Sequence, residues 1–228
     1  VAQSDLSGTK VAMYNGLDTV AGKYQFRTAA GALSGIDIDD TFTSFDSSRR
    51  GRIRYDSPSL NNFTFSAAYG KDILSTNNND TYVDAAVRYK NEIGDTKIVG
   101  SLGFARRTRG DTDRDDTFGS VSALHSSGAN ITLAAGSRKN DGQYGLIKVG
   151  YIGDWLPMGK TALAVDYYNG GDFVTDGSSS KSIGIGVVQK IDAANMEAYL
   201  VVRNYEYTDT TTGYQDASSV LFGSRWKF

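Results

Sequence analysis

The stretch SSVLFGSRWKF, residues 218–228, closes the chain. Val220, Phe222, Trp226 and Phe228 fall on one parity, while Ser219, Arg225 and Lys227 fall on the other. A strand places alternate side chains on opposite faces. The termini of soluble domains usually fray into polar residues. Here an alternating strand runs into a final aromatic residue, as expected where one face meets hydrocarbon and the other meets water.

The same period of two continues upstream. It predicts eleven strands, at 49–56, 63–70, 81–90, 96–106, 116–125, 130–137, 143–153, 160–168, 181–190, 196–206 and 217–228. Each is near the ~9–11 residues that a tilted membrane strand needs. The connections mostly alternate between short turns, such as NEIGD and SSGA, and longer runs rich in Asp, Asn, Thr, Ser and Gly. The longer runs are KDILSTNNND, RTRGDTDRDD, NGGDFVTDGSSS and YTDTTTGYQD. Outer-membrane barrels place short turns at the periplasmic end and longer loops outside. The fold expected is therefore all-β, a transmembrane antiparallel β-barrel in the lipid bilayer of the bacterial outer membrane. An odd strand count cannot close such a barrel with both termini on one side. At least one further strand is expected before residue 49, and TKVAMY, residues 9–14, reads as the end of one.

Composition narrows the function. The net charge of −2 and pI near 5.4 give no reason to expect a nucleic-acid partner. There is no Cys, and the single His removes most zinc and imidazole chemistry. No apolar run approaches the length of a transmembrane helix, which leaves strands as the way across. Hydrophobic residues are only 39% of the chain, while Gly numbers 26 and Tyr 14. A soluble core of this size would draw more on Leu, Ile and Val. VAQSDLSG at the start has neither the basic nor the apolar region of a signal peptide, and there is no initiator Met. The expectation is a processed chain, or one that begins inside a longer protein.

The two parities differ chemically. In RGRIRYD, Arg50, Arg52 and Arg54 oppose Ile53 and Tyr55. In YVDAAVRYK, Val83, Ala85, Val87 and Tyr89 oppose Asp84, Arg88 and Lys90. In TALAVDYY, Leu163, Val165 and Tyr167 oppose Asp166 and Tyr168. An Arg facing mid-bilayer lipid costs ~2–4 kcal/mol, so the Arg parity is expected to face an aqueous lumen. Phe63, Tyr69, Tyr82, Tyr89, Tyr151, Trp155, Tyr167, Trp226 and Phe228 lie near strand ends, as interfacial girdles do. A half-buried sheet meeting bulk water gives the same pattern strand by strand. It does not account for the loop alternation or the aromatic terminus.

Residues 1–48 break the pattern. They carry Asp5, Asp18, Asp37, Asp39, Asp40 and Asp46 against Lys10, Lys23 and Arg27. DDTFTSF suggests a short helix capped by Asp39 or Asp40. The stretches DLSGTKVAMYNGLDTVAGKYQFR (5–27) and GALSGIDIDDTFTSFDSSRRGRIRYDSPSLNNFTFSAAYG (31–70), with the terminal GSRWKF, resemble the general porins of α-proteobacteria and their relatives. The resemblance runs through the whole chain and is strongest between about residues 5 and 70, with support from SALHSSGANITLAAG and VVQKIDA. It implies that the first stretch is the third extracellular loop, folded inward to narrow a pore, and that the protein forms a homotrimer. Porins of that family have sixteen strands, with the infolded loop between the fifth and sixth. The resemblance thus implies that 1–48 hold the end of a strand plus the constriction loop, that 49–228 hold eleven barrel strands, and that five strands are absent. A smaller twelve-strand relative with a rebuilt first strand is the alternative, and the five-strand deficit is favoured.

The function expected is passive diffusion of small hydrophilic solutes and ions. Asp37, Asp39, Asp40 and Asp46 would face a basic wall of Arg50, Arg52, Arg54, Arg88 and Arg107, setting a transverse field at the narrowest point. The plainer reading of the Arg row is ion pairing that pins the loop. The Asp cluster is also a candidate Ca²⁺ site through its carboxylates, with Asp111, Asp113, Asp115 and Asp116 a weaker second one. A channel specific for one solute, with Tyr168, Tyr205 and Tyr207 lining it, and a soluble β-rich binding or structural protein are the alternatives. An enzyme is not expected. His125 has only its sequence neighbours Ser126 and Ser127, there is no GxSxG elbow, and the glycines of SIGIGVV lie in a strand.

Overall fold

The structure, a computed structural model, describes residues 4–14, 21–45, 51–73 and 79–227. Two short strands, β1 (Gln25–Arg27) and β2 (Leu33–Asp37), pair with each other. Eleven longer strands follow: β3 (Gly51–Asp56), β4 (Phe63–Lys71), β5 (Thr81–Ile93), β6 (Thr96–Arg109), β7 (Thr112–His125), β8 (Ala129–Arg138), β9 (Asp141–Leu156), β10 (Gly159–Gly171), β11 (Ser179–Ile191), β12 (Met196–Thr208) and β13 (Ala217–Trp226). They form one antiparallel sheet in strict chain order, each strand bonded to the strands before and after it. β3 and β13 are its two edges, each with one neighbour. All eleven expected strands are present, several of them longer at their ends.

One expected long loop is not a loop. RTRGDTDRDD, residues 107–116, is almost entirely strand: β6 runs on to Arg109, β7 begins at Thr112, and Gly110–Asp111 make the turn. Gly110 takes φ +57, which suits the first central position of a tight hairpin turn. Facing charges hold the arms together. Arg106 donates twice to Asp115 at 2.7 Å, and Thr108 donates to Asp113 at 2.6 Å. The Asp, Thr and Gly that read as loop composition are thus cross-strand partners. At the same end 139–140 is also a tight turn, while 172–178 and 209–216 remain long connections; most of the run between β4 and β5 lies outside the described residues.

Two local expectations are also corrected. Thr9–Met13 is a tight turn, with the Thr9 carbonyl accepting from the N–H groups of Ala12 (3.0 Å) and Met13 (2.9 Å), and is not a strand end. DDTFTSF holds only a 3₁₀ turn, Ile38–Thr41, with Asp37 at its N-cap and no side-chain capping bond.

Register turns the strand alternation into layers. Val121, Leu133, Ile147, Tyr167 and Ile183 lie side by side across β7–β11, all exposed. The next row on the same face is Ala123, Ile131, Val149, Val165, Ile185, Val202 and Val220. Towards the β6–β7 turn this face becomes polar at Thr117, Ser137 and Gln143. The opposite face carries the row Ser122, Thr132, Lys148, Asp166, Gly184, Arg203 and Ser219. In that row every residue but the glycine is polar, and a Cβ at Gly184 would lie 2.6 Å from the Arg203 guanidinium carbon.

Among the described residues the buried apolar clusters lie on the polar face, under the segment before β3, and the outer face of the sheet packs against no second layer. Its apolar face is exposed because lipid is its solvent, which accounts for the low hydrophobic content. A thirteen-residue strand such as β11 is ~43 Å long and at the ~45° tilt of membrane strands rises ~30 Å, one hydrocarbon thickness. Tyr82 departs from the girdle expectation. It points to the polar face and is buried.

Ile147→Arg is expected to cost ~2–4 kcal/mol, and Thr117→Arg, beyond the apolar rows, only ~0–1 kcal/mol. Denaturant unfolding of the protein folded in lipid vesicles measures both.

Candidate functional site

The segment before β3 lies against the polar face of the sheet. Ser4 N–H donates to Ser120 Oγ (2.7 Å) and Leu6 N–H to Ser122 Oγ (3.0 Å), so the segment is tied to β7. Lys148 Nζ donates to Asp5 Oδ2 at 2.8 Å and also to the Met13 carbonyl, and both charged side chains are fully buried. Met13 packs over Gly186 against Val201 and Ala164. A Cβ at Gly186 would come within 2.5 Å of the Met13 sulfur. Beside this anchor, Arg203 donates to Asp166 Oδ2 (2.8 Å) and Ser182 Oγ (2.9 Å), a second buried ion pair in the same layer.

Higher up, aromatic rings do the anchoring. Phe42 packs edge-on against Tyr168 (5.1 Å between centroids) and Tyr205 (5.7 Å), and Phe45 lies 5.7 Å from Tyr144. Tyr168 Oη donates to the Thr43 carbonyl (2.9 Å) and accepts from Thr43 N–H (3.1 Å). Burial pushes the Tyr168, Tyr144 and Tyr205 rings out of reach of solvent. The β1–β2 hairpin then joins the 209–216 loop: Thr28 bridges to Tyr214, Ala29 N–H donates to Gly213 O (2.7 Å), and Gln215 N–H to Arg27 O (2.9 Å). Within that loop Asp209 accepts from Tyr214 Oη (2.7 Å) and from the N–H groups of Thr211 and Thr212 (both 2.8 Å). The Tyr214 hydroxyl, followed by the two amides, holds the Asp209 carboxyl down to about 2.

The expected acidic residues do cluster. Asp37, Asp39 and Asp40 bring their carboxylates within 4.8 Å of one another. Lys23 occupies the middle, 3.4, 2.9 and 3.0 Å from the three in turn. Bonds to Asp39 and then Asp40 raise the Lys23 pKa above its ordinary value. The position that a cation would take is held by this ammonium, and three carboxylates against one ammonium leave two negative charges in surplus.

The basic residues sit elsewhere, on β3–β6, facing the same side of the sheet. Arg52 pairs with Asp84. Arg54 holds Asp56 at 2.7 Å, and Arg88 reaches Asp56 at 3.4 Å and Ser66 Oγ at 3.0 Å. Arg107 lies 3.8 Å from Asp80. The row is thus paired with the wall's own aspartates, and the acidic trio with Lys23. Asp46 and Arg50 lie outside the described residues, as does Phe228.

A family model for Gram-negative porins matches residues 8–210, which span the infolded segment and β3–β12. The chain belongs to the Gram-negative porin family. Solved porin-type structures share its fold. The anion-selective porin of Comamonas acidovorans is 16% identical, with a TM-score of 0.53 over 93% of this chain and 67% of that one. Pseudomonas aeruginosa OccK5 (OpdH) is 11% identical, with a TM-score of 0.57 over 76% and 57%. In-vitro folded OmpT of Vibrio cholerae is 14% identical, with a TM-score of 0.51 over 98% and 74%. This porin chain therefore spans about three-fifths to three-quarters of the length of these structures. No curated protein is similar enough to match. Family and fold place the chain in the bacterial outer membrane, with the apolar rows against lipid.

Sequence reasoning named Lys23 but missed its place among the three aspartates, and it missed the Asp5–Lys148 clamp and the aromatic anchors. Lys148 carried a signal, since it is a lone cation in the apolar run GLIKVG on the parity of Leu146. The three tyrosines expected as candidate lumen lining are covered by the segment, Tyr168 and Tyr205 by Phe42 and Tyr207 by Phe26 at 5.6 Å.

Lys148→Met leaves Asp5 buried without its ammonium, and a ~3–5 kcal/mol loss of stability is expected. Replacing both, with Asp5→Leu added, recovers most of it, as read from denaturant midpoints in detergent. The Asp209 contribution is complete above the unfolded-chain value near ~3.9 and is lost as pH falls through about 2. Carbon NMR of the labelled carboxyl is expected to give that low midpoint, and Tyr214→Phe to move it up.

Proposed function

We propose that this chain forms the greater part of a water-filled outer-membrane pore, through which small hydrophilic solutes and ions diffuse passively. The observation that carries the proposal is that residues 4–14 and 21–45 lie across the polar face of a sheet whose other face is apolar. In a closed barrel a segment so placed narrows the lumen. The acidic trio with Lys23 then stands on the loop side, and Arg52, Arg54, Arg88 and Arg107 on the wall, with Asp46 and Arg50 assigned to the same constriction by sequence. Opposite charges held apart make a field across the passage. A polar solute aligns in it, while an apolar one must displace ordered water.

The two one-sided edges, β3 and β13, call for further strands, because unpaired backbone groups in lipid cost several kcal/mol each. Five strands ahead of the infolded segment would complete a sixteen-stranded barrel. That number, the likeness to α-proteobacterial general porins and a homotrimeric assembly are part of this reading. Burial of Tyr168, Tyr205 and Tyr207 under the segment argues against the tyrosine-lined channel for a single solute.

Planar-bilayer recording tests the proposal. Discrete ohmic steps are expected in potassium chloride. Lys23→Met, which leaves the trio without its counter-ion, is expected to move the reversal potential in a salt gradient towards cations. Absence of steps from folded protein overturns the pore. An unmoved reversal potential removes the trio from the constriction.

A further inference from the structure

Three carboxylates of the wall are each shared by two arginines. Asp56 lies between Arg54 (2.7 Å) and Arg88 (3.4 Å). Asp80 lies between Arg109 (2.9 Å) and Arg107 (3.8 Å). Asp116 lies between Arg138 (2.7 Å) and Arg114 (3.5 Å). In the last two the short contact belongs to one arginine and the other is left at long range. The two left over, Arg107 and Arg114, are direct register partners on β6 and β7. Both alternate with the outward Arg106 and Asp115, so both face the lumen side. The Nε of each is buried and, among the described residues, has no hydrogen-bond acceptor.

This arrangement is unfavourable as it stands. Like charges directly opposite each other on antiparallel strands repel, and a buried guanidinium N–H without an acceptor loses its hydration uncompensated. Asp80 and Asp116 cannot relieve both groups, because their near lone pairs are taken by Arg109 and Arg138. One oxyanion bound by the solvent-reachable N–H groups of both guanidinium groups offsets the like charge. Its separate oxygens accept from two forks, which a spherical halide cannot do. Side-chain exposures of 28% for Arg107 and 34% for Arg114 leave the pair reachable from solvent.

We propose that Arg107 and Arg114 form a binding station for oxyanions, meaning phosphate, sulfate or the carboxylate of a small solute, on the inner wall near the β6–β7 turn. The station is distinct from the acidic trio; it shares Arg107 with the basic wall and adds Arg114, which the wall assignment did not include. It rests on the pore reading for the route by which solute arrives, but its affinity does not depend on conduction.

Calorimetric titration of the full chain, folded in detergent, with inorganic phosphate tests the station directly, with sodium chloride as the reference anion. Saturable phosphate binding is expected. Arg107→Gln or Arg114→Gln is expected to weaken it about tenfold or more, the factor carried by one charge-assisted hydrogen bond. Arg106→Gln, on the outer face, is expected to leave it unchanged. Should the glutamine variants not fold, Arg107→Lys and Arg114→Lys keep the charge and lose the fork, and the same weakening is expected. No saturable phosphate binding, or equal affinity in all variants, overturns the station. In bilayers, phosphate is expected to reduce chloride conductance with the same dependence on the two arginines. Intact binding without any channel steps overturns the pore reading and leaves the station standing.

Discussion

A membrane gives the backbone no water to bond with, and every other feature of this chain follows from that constraint. Each amide in the spanning region must find its partner in the next strand, so the strands pair in unbroken chain order from β3 to β13. Once pairing is fixed, the pleat decides the rest. One set of alternate residues meets lipid and the other faces inward. Ile147 and Val165 are therefore exposed, while Lys148 and Asp166, one position away, are buried. The usual relation between hydrophobicity and burial is reversed because lipid stands where water normally would.

The inward face holds the second layer of the design. Polar side chains there do not all face open water. Over β7–β12 many of them are covered by residues 4–14 and 21–45, and two buried cations there are paired: Lys148 with Asp5, Arg203 with Asp166. Small residues make room for this cover. Gly186 admits Met13, and Gly184 lets the Arg203 side chain lie flat on the sheet. Over β3–β6 and at the upper ends of β7 and β8, arginines of the same face share aspartates in twos. The inward face thus has one region that holds the segment and another that gathers charge.

The strands and their faces were legible in the sequence because a period of two survives in every one of them. RGRIRYD and TALAVDYY declare their inward and outward sets without help from any other strand. EAYLVVRNYEY does not, and the structure explains why. Tyr199, Val201 and Tyr205 face inward against Met13 and Phe42, so both faces of β12 are apolar and the alternation is blurred. The hairpin at 107–116 has the composition of a loop for a related reason, since its pairing comes from Arg, Thr and Asp across the strands rather than from apolar residues. The site was legible only in part. The acidic trio and the arginines could be named, but their partners could not. Lys23 meets residues fourteen to seventeen positions away along irregular chain, and no periodicity connects them. Arg107 and Arg114 become neighbours only once the register is known.

The separation in sequence between the segment and its anchors sets an order of events during assembly. The strands pair only with their immediate successors, so the wall can grow by adding one hairpin at a time. Asp5 and Lys148 are 143 residues apart, and Ser4 and Ser120 are 116 apart. Closing loops that long brings no return until the distant strands exist. The segment is therefore seated late, onto a surface already built, and the calibre of the passage is fixed only after its walls have formed.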